Sequence, residues 1–222
     1  TSKHTVKFST GKLSDSFEFS GRLSKIDSDG YVDRAYSDLK SYFIQGAYIK
    51  GNTLIKALTF GGHEKTYQSW FGVTKEQLLE NRRQNPYTYE NEIDNYKQDH
   101  YQFHWNQKLN QKWSTNLGLN YTYGRGYFEQ FRDDDSIETY GGIVVSDIDQ
   151  QGNKTGTTDL IRRRWLDNNF YVLNASANYK TSKLNLTFNS SFSTYSGDHY
   201  GEVVWARNFN KNSSVRDRYY NG

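Results

Sequence analysis

Apolar and polar residues alternate with a period of two along much of this chain, and this alternation limits its fold more than any other feature. Residues 113–123 place Trp, Thr, Leu, Leu, Tyr and Tyr at odd positions, and Ser, Asn, Gly, Asn and Thr at even positions. Successive side chains of a β-strand point to opposite faces of a sheet, so the pattern predicts a strand with one apolar and one polar face. The same alternation predicts strands at 1–10, 16–24, 100–109, 171–180 and 184–194.

Two more strands are predicted at 41–50 and 53–60, from their Tyr, Ile and Phe content and from the Gly51-Asn52 turn between them. The 222 residues include one proline and no cysteine, but 19 Tyr, 13 Phe and 18 Gly. Strand-forming and turn-forming residues are therefore abundant, and helix signals are scarce. The sequence predicts an all-β fold in which the strands form an antiparallel meander.

The polarity of the chain excludes transmembrane helices. Its mean hydropathy is -0.96, and no stretch comes near the roughly 20 apolar residues that a spanning helix needs. Two classes remain open, which are a soluble β-sheet protein and the wall of a membrane barrel, whose strands are apolar on one face only. The net charge of +3 comes from 28 basic and 25 acidic residues spread over the chain, which argues against a nucleic-acid partner.

The connections between the predicted strands alternate in length. In an antiparallel meander, this alternation places every tight turn at one end of the sheet and every long loop at the other, as in outer-membrane barrels. Short links lie at 11–15, 51–52, 110–112 and 181–183, and long ones at about 25–40, 61–97, 124–168 and after 195. Strands of about 9 to 12 residues match a tilted span, and aromatic residues near their ends are typical of membrane girdles. The girdle candidates are Trp113, Tyr121, Tyr123, Tyr171 and Tyr179.

Five stretches resemble, in the same order, the barrel region of TonB-dependent receptors of Gram-negative bacteria. They are GRLSKIDSDGYVDRAYSDLKSY (21–42), FGGHEKTYQSWFGV (60–73), NPYTYENEIDNYKQDHYQFHW (85–105), YTYGRGYFEQF (121–131) and LIRRRWLDNNFY (160–171). The resemblance implies about eight strands of a large transmembrane barrel, with short periplasmic turns and long extracellular loops. It also implies a plug domain in the lumen. Neither a plug nor a signal peptide is recognisable in 1–222, so we expect these residues to be part of a larger protein.

The function that this resemblance implies is high-affinity uptake of a scarce nutrient, such as an iron complex, cobalamin or a glycan, across the outer membrane. The implied partners are the TonB-ExbB-ExbD complex, acting through the plug, together with outer-membrane lipid and lipopolysaccharide. A surface lipoprotein would be a further partner if the ligand is an oligosaccharide. A soluble or surface-attached β-sheet adhesin, which binds without transport, remains the alternative.

Two groups of loop residues are candidates for ligand binding. Aromatic side chains concentrate in the loop predicted at 61–97, where they would stack on a ligand or pack against one another. These are Tyr67, Trp70, Phe71, Tyr87 and Tyr89. The run Arg162, Arg163 and Arg164 would attract an anionic ligand or lipopolysaccharide phosphates, or would mark the end of a strand beside Trp165.

No catalytic motif, cofactor-binding loop or metal site is predicted. His100 and His104 share one face of a strand, but their spacing of about 13 Å is too wide for one zinc ion. His63-Glu64 and the acidic run 133–135 offer ligands for a cation, but we interpret both as parts of solvated loops. We therefore expect a protein that binds and admits a ligand without transforming it.

Overall fold

The computed structural model describes all of residues 1–222 and contains one antiparallel sheet of nine strands. Each strand hydrogen-bonds to the next strand along the chain, so the sheet is an open meander from β1 to β9. The all-β prediction is confirmed. The strands are β1 (Ser2–Leu13), β2 (Phe17–Ser28), β3 (Ser37–Lys50), β4 (Thr53–Tyr67), β5 (Ile93–Lys108), β6 (Trp113–Ser136), β7 (Thr157–Lys180), β8 (Asn185–Ala206) and β9 (Arg218–Asn221).

Helical structure is confined to two short segments in the connections. Helix α1 (Lys75–Glu80) begins at a capping box, in which the Thr74 hydroxyl accepts a hydrogen bond from the Gln77 amide and the Gln77 side chain accepts one from the Thr74 amide. A 3-10 helix (Ile137–Tyr140) follows β6. Neither segment has the length and apolar character of a membrane-spanning helix.

The short and long connections lie at opposite ends of the sheet, as predicted. The short turns are residues 14–16, 51–52, 109–112 and 181–184, and the long connections are 29–36, 68–92, 137–156 and 207–217. Gly51 takes a left-handed conformation in its turn, with φ of 55°, which a glycine adopts without steric strain. We call the two ends of the sheet the turn end and the loop end.

The strands extend further toward the loop end than the sequence predicts. β6 and β7 have 24 residues each and β8 has 22. Residues 124–136 and 157–168, predicted as loop, are therefore strand, and the predicted loops 25–40 and 61–97 also lose residues to the sheet. The sequence pattern misses these extensions because charged side chains interrupt the apolar alternation, whereas the backbone hydrogen bonds between strands do not depend on it.

The register of the sheet separates an apolar face from a polar face. Leu119 stands opposite Phe103 and Leu173 on the neighbouring strands. On the other side of the sheet, the Gln102 amide donates a hydrogen bond of 3.1 Å to Asn120. The predicted division of side chains is confirmed, with Leu117, Leu119 and Leu186 on the apolar face and Asn116, Asn120 and Asn189 on the polar face.

Aromatic residues form two rows across the apolar face. Near the turn end, the rings of Trp113 and Tyr179 lie 4.9 Å apart. Closer to the loop end, Tyr121 stacks on Tyr101 at 5.9 Å and on Tyr171 at 4.7 Å. Tyr121 and Tyr171 were predicted near strand ends, but the extension of β6 and β7 places them well inside these strands.

The buried core lies at the loop end of β7 and β8. Here the connections 137–156 and 207–217 pack over the beginning of β7 and the end of β8, and Asn208 donates a hydrogen bond of 2.8 Å to Asp147. The core residues are Tyr140, Ile143, Val144, Leu160, Val203 and Ala206. Side chains of the apolar face remain open by comparison, with Leu23, Phe188 and Phe192 exposed by 58, 60 and 63%.

Candidate functional site

The connection 68–92 is anchored to the connection 29–36, and together they form one unit at the loop end. Arg34 donates hydrogen bonds of 3.0 and 2.6 Å to the Tyr87 carbonyl. The Asn85 side chain donates to the Asp33 carbonyl at 3.0 Å, and Asp33 also forms an ion pair of 3.3 Å with Arg83. These contacts give the long connection a defined conformation over the strand ends.

Two of the predicted aromatic residues are structural. Tyr67 is the last residue of β4 and not a loop residue, it is buried, and its hydroxyl donates a 2.6 Å hydrogen bond to the Tyr89 carbonyl. The Tyr89 hydroxyl in turn donates to Glu129 at 2.6 Å. Tyr67 and Tyr89 are thus packed within the protein, the alternative to stacking on a ligand.

The other three predicted aromatic residues form a more open surface. Phe71 contacts Tyr87 with 5.2 Å between ring centroids, and Trp70 meets Phe128 edge to face at 5.6 Å. Trp70 and Phe71 are exposed by 59 and 62%, so both rings remain accessible to a ligand. Their role in ligand binding stays a prediction.

The three consecutive arginines do not form one cluster, because neighbouring residues of a strand point to opposite faces. Arg162 is buried, donates to the Tyr140 hydroxyl at 3.0 Å and lies 3.9 Å from Asp135. Arg163 points to the apolar face, where it pairs with Glu129 at 2.7 Å. Arg164 points to the polar face and forms no ion pair; its guanidinium lies 5.8 Å from the Phe128 ring centroid. Arg164 is thus the one arginine of the run whose guanidinium forms neither an ion pair nor a hydrogen bond within the chain.

A groove of about 400 Å³ opens beside Arg164, on the polar face near the loop end. Of the predicted site residues, Arg164 lines this groove, and Trp70 contacts Phe128, which forms part of the groove wall. The groove is lined by Glu64, Asp94, Tyr96, Phe128, Leu166, His199 and Tyr220, among others. Most of this lining was not predicted from the sequence, although Tyr96 and Phe128 continue the even-numbered polar positions of β5 and β6.

Two glycines of β6 leave room for an aromatic ring to lie against this part of the polar face. Tyr96 lies across Gly124 and Gly126, and a Cβ atom at either position would collide with Tyr96 or its backbone. The Tyr96 ring therefore lies against the sheet and forms part of the groove wall instead of standing out from it. An aromatic ring held in this way offers its face to an apolar or planar part of a ligand.

The groove also holds two carboxyl groups, Glu64 and Asp94. Burial, together with the neighbouring charge of Glu64, raises the pKa of Asp94 to about 6. The site thus combines a free guanidinium, two carboxyl groups and aromatic walls, which suits a ligand with both polar and apolar parts. Nothing in this arrangement resembles a nucleophile with an adjacent base.

The remaining candidates from the sequence lie apart from this groove. His100 accepts or donates a 2.9 Å hydrogen bond with Thr122, and His104 makes one of 3.2 Å with Gln102. His63 is on the apolar face, where it contacts Asn95 at 2.7 Å. The acidic run 133–135 lies at the end of β6, where Arg132 pairs with Asp135 at 3.0 Å and holds its pKa below the usual range, with help from the Tyr140 hydroxyl.

A scan against protein-family models finds no match for this sequence, and a search of curated proteins finds no significant similarity.

Proposed function

We propose that residues 1–222 form part of the wall of an outer-membrane β-barrel, in a TonB-dependent receptor that takes up a scarce nutrient. The observation that carries this proposal is a band without charge on the apolar face. On β6, this face has no charged residue from Trp113 to Tyr123, a stretch of 11 residues, before Arg125. On β7, none occurs between Tyr179 and Asp167. Barrel strands need about 9 to 11 residues to cross the bilayer at a tilt.

The same band continues over the other strands with two exceptions. Lys50 lies beside a turn, where its ammonium group reaches water. Asp99 is almost fully buried, accepts a 2.8 Å hydrogen bond from Tyr42 and pairs with Lys97 at 3.1 Å. A carboxylate held by a cation and a hydroxyl avoids most of the cost of leaving water.

The stagger of the short turns supports a tilted barrel wall. A row of directly paired residues crosses the sheet from Phe17, beside the first short turn, to Ala175 on β7. From Ala175, β7 continues for five more residues, to Lys180, before the short turn that leads to β8. Five residues span about 16 Å along a strand, and the six strand spacings between these turns span about 29 Å. If the turns lie at one depth, the strands tilt by roughly 30°, close to the 35–45° of barrel strands.

In this proposal, the polar face lines the lumen and the apolar face contacts lipid. The groove beside Arg164 then opens at the extracellular mouth, where Trp70 and Phe71 would meet an arriving ligand first. A plug domain and the TonB-ExbB-ExbD complex would control passage, and a surface lipoprotein would assist if the ligand is an oligosaccharide. The chemistry of the groove fits parts of an iron complex, cobalamin or a glycan, and no catalytic step is proposed.

Membrane extraction of the full-length protein tests the barrel. Outer membranes of the producing bacterium are washed with high salt and with alkaline carbonate, and are then dissolved in detergent. We expect the protein to stay in the membrane until detergent is added, and to migrate faster in gels before boiling than after. Release by salt or carbonate would instead support the adhesin and overturn the barrel.

Growth tests the transport step separately. A strain without the protein and a strain without TonB are grown with limiting iron, with limiting cobalamin, and on single glycans as carbon source. We expect the two strains to share a defect on one of these nutrients, restored by the wild-type gene. A strain that grows normally on every nutrient would contradict uptake while leaving the barrel in place.

A further inference from the structure

Basic side chains form one continuous row across six strands of the apolar face, just on the loop side of the charge-free band. Each residue of the row stands directly opposite the next across the strand boundary. The row consists of His4, Lys25, Lys40, His63, Lys97 and Arg125. We call it the basic row.

This arrangement has an electrostatic cost within the sheet. Directly opposed side chains lie only about 5 Å apart, and like charges at this distance destabilise a strand pair. Carboxylates on the loop side of the row offset part of the repulsion, through ion pairs of 3.0 Å between Lys25 and Asp27 and 3.6 Å between Lys40 and Asp38. The lysine side chains nevertheless remain exposed by 46 and 57%, so ammonium donors stay available to an external anion.

The surroundings of the basic row are amphiphilic. A groove of about 460 Å³ runs along it, lined by the basic residues on one side and by Val6, Leu23 and Tyr42 on the other. Leu23 lies on the same face as Lys25, two residues nearer the turn end, and belongs to the charge-free band. A ligand in this groove would therefore meet cations at one end and an apolar surface at the other.

We propose that the basic row binds the phosphate groups of an anionic lipid, with the first part of an acyl chain lying against Leu23 and Val6. This inference rests on the proposed function, in which the band below the row contacts the membrane interior. The row then lies at the depth of the lipid headgroups in the leaflet on the loop side. A phosphate accepts several charge-assisted hydrogen bonds, and lysines bind it as point charges. A small free anion would not contact the apolar side of the groove, whereas a lipid with an acyl chain would.

The test compares lipid binding by two charge variants of the full-length protein in mild detergent. The first variant combines Lys25→Gln, Lys40→Gln and Lys97→Gln. The matched control combines Lys56→Gln, Lys108→Gln and Lys180→Gln, which removes the same charge from the polar face. Native mass spectrometry measures the affinity for bis-phosphorylated lipid A, for the same lipid without phosphates, and for inorganic phosphate.

We expect the first variant to bind bis-phosphorylated lipid A at least about tenfold more weakly, as the loss of one or more charge-assisted contacts implies. The control should bind like the wild type, and removing the lipid phosphates should weaken binding as much as the substitutions do. Equal binding by both variants, or equal binding of lipid with and without phosphates, would overturn the proposal. Competition by inorganic phosphate alone would assign the row to a free anion.

Failure of this inference can be told from failure of the barrel. If the protein resists carbonate and shows heat-modifiable migration, yet substitutions in the basic row do not change its lipid affinity, only the lipid site is refuted. The same two measurements on the first variant show whether it folds, so weak binding by a misfolded variant is not counted as support.

Discussion

The Tyr89 hydroxyl donates a 2.6 Å hydrogen bond to one oxygen of Glu129, and the other oxygen pairs with Arg163 at 2.7 Å. This contact ties the connection 68–92 to β6 and β7. Burial and the hydrogen bond to the Glu129 carboxylate raise the pKa of Tyr89 well above its ordinary value, so the phenol stays a donor at neutral pH.

Removing this hydroxyl should loosen the connection 68–92. Tyr89→Phe deletes a hydrogen bond to a charged group, which stabilises local structure by about 1.5–3 kcal/mol. We expect faster hydrogen exchange at 85–92 and faster tryptic cleavage after Arg83. Tyr87→Phe is the control, because the Tyr87 hydroxyl makes no hydrogen bond within the chain. Equal effects of the two changes would show that Tyr89 does not hold the connection.

The anchoring of the connection 68–92 should weaken as the pH rises. Glu92 is buried, accepts a 3.1 Å hydrogen bond from the Phe131 amide, and burial raises its pKa to about 7. Arg132 and Arg162 lower this pKa, and the charge of Glu129 raises it. A carboxyl group whose folded pKa is raised favours folding below its unfolded pKa, near 4.5, and loses that contribution as the pH approaches 7.

Glu92→Gln should therefore remove this pH dependence. We expect hydrogen exchange of 85–92, corrected for the intrinsic rate, to increase between pH 5 and 7 in the wild type and to stay level in the variant. Glu90→Gln, at an exposed position of the same connection, should behave like the wild type. A wild type with no change over this range would contradict the assignment to Glu92.

The two faces of β6 should differ sharply in their tolerance of charge. An arginine at a lipid-facing site near the bilayer centre costs about 2–4 kcal/mol, and a lumen-facing site costs far less. Leu119→Arg should therefore reduce the amount of assembled, heat-modifiable full-length protein in the outer membrane, whereas Asn120→Arg should reduce it little. If both variants assemble equally well, the assignment of the apolar face to lipid fails.

The short turns should face the periplasm and the long connections the exterior. Because these residues include no cysteine, single cysteines at Asn52 and Ser69 report on the two ends of the sheet. Both positions are exposed. In intact cells, an impermeant maleimide should label only position 69, and breaking the outer membrane should make position 52 reactive. Labelling at position 52 alone would reverse the orientation.

The neighbouring arginines of β7 should have different effects on stability. Arg162→Met removes the hydrogen bonds of 3.0 Å that the buried guanidinium donates to the Tyr140 hydroxyl and to Gln130, and a hydrogen bond to a charged group contributes about 1.5–3 kcal/mol. We expect faster hydrogen exchange at 137–143 in this variant. Arg164→Met removes an exposed side chain without an ion pair and should leave exchange there unchanged. An equal response would contradict the distinct roles that the structure gives them.

Part of the candidate site could be predicted from the sequence because aromatic and basic residues concentrate in and near the loops. Arg164 lines the groove, and Trp70 packs against Phe128 in the groove wall. Arg163 and Tyr89 were grouped with them by position along the chain, but they are held in a contact with Glu129 instead. The sequence does not show this because an ion pair between β6 and β7 depends on which residues the register brings together.

Local pattern alone determines the all-β class, the short turns and the facing of residues such as Leu119 and Asn120. Alternation with a period of two is a property of neighbours along one strand, so it can be read without knowing the partner strand. The lengths of β6 and β7, the groove beside Arg164 and the basic row are decided only by the tertiary structure. Lys25 and Lys40 are 15 positions apart in the sequence, and only the hydrogen-bond register between β2 and β3 places them side by side.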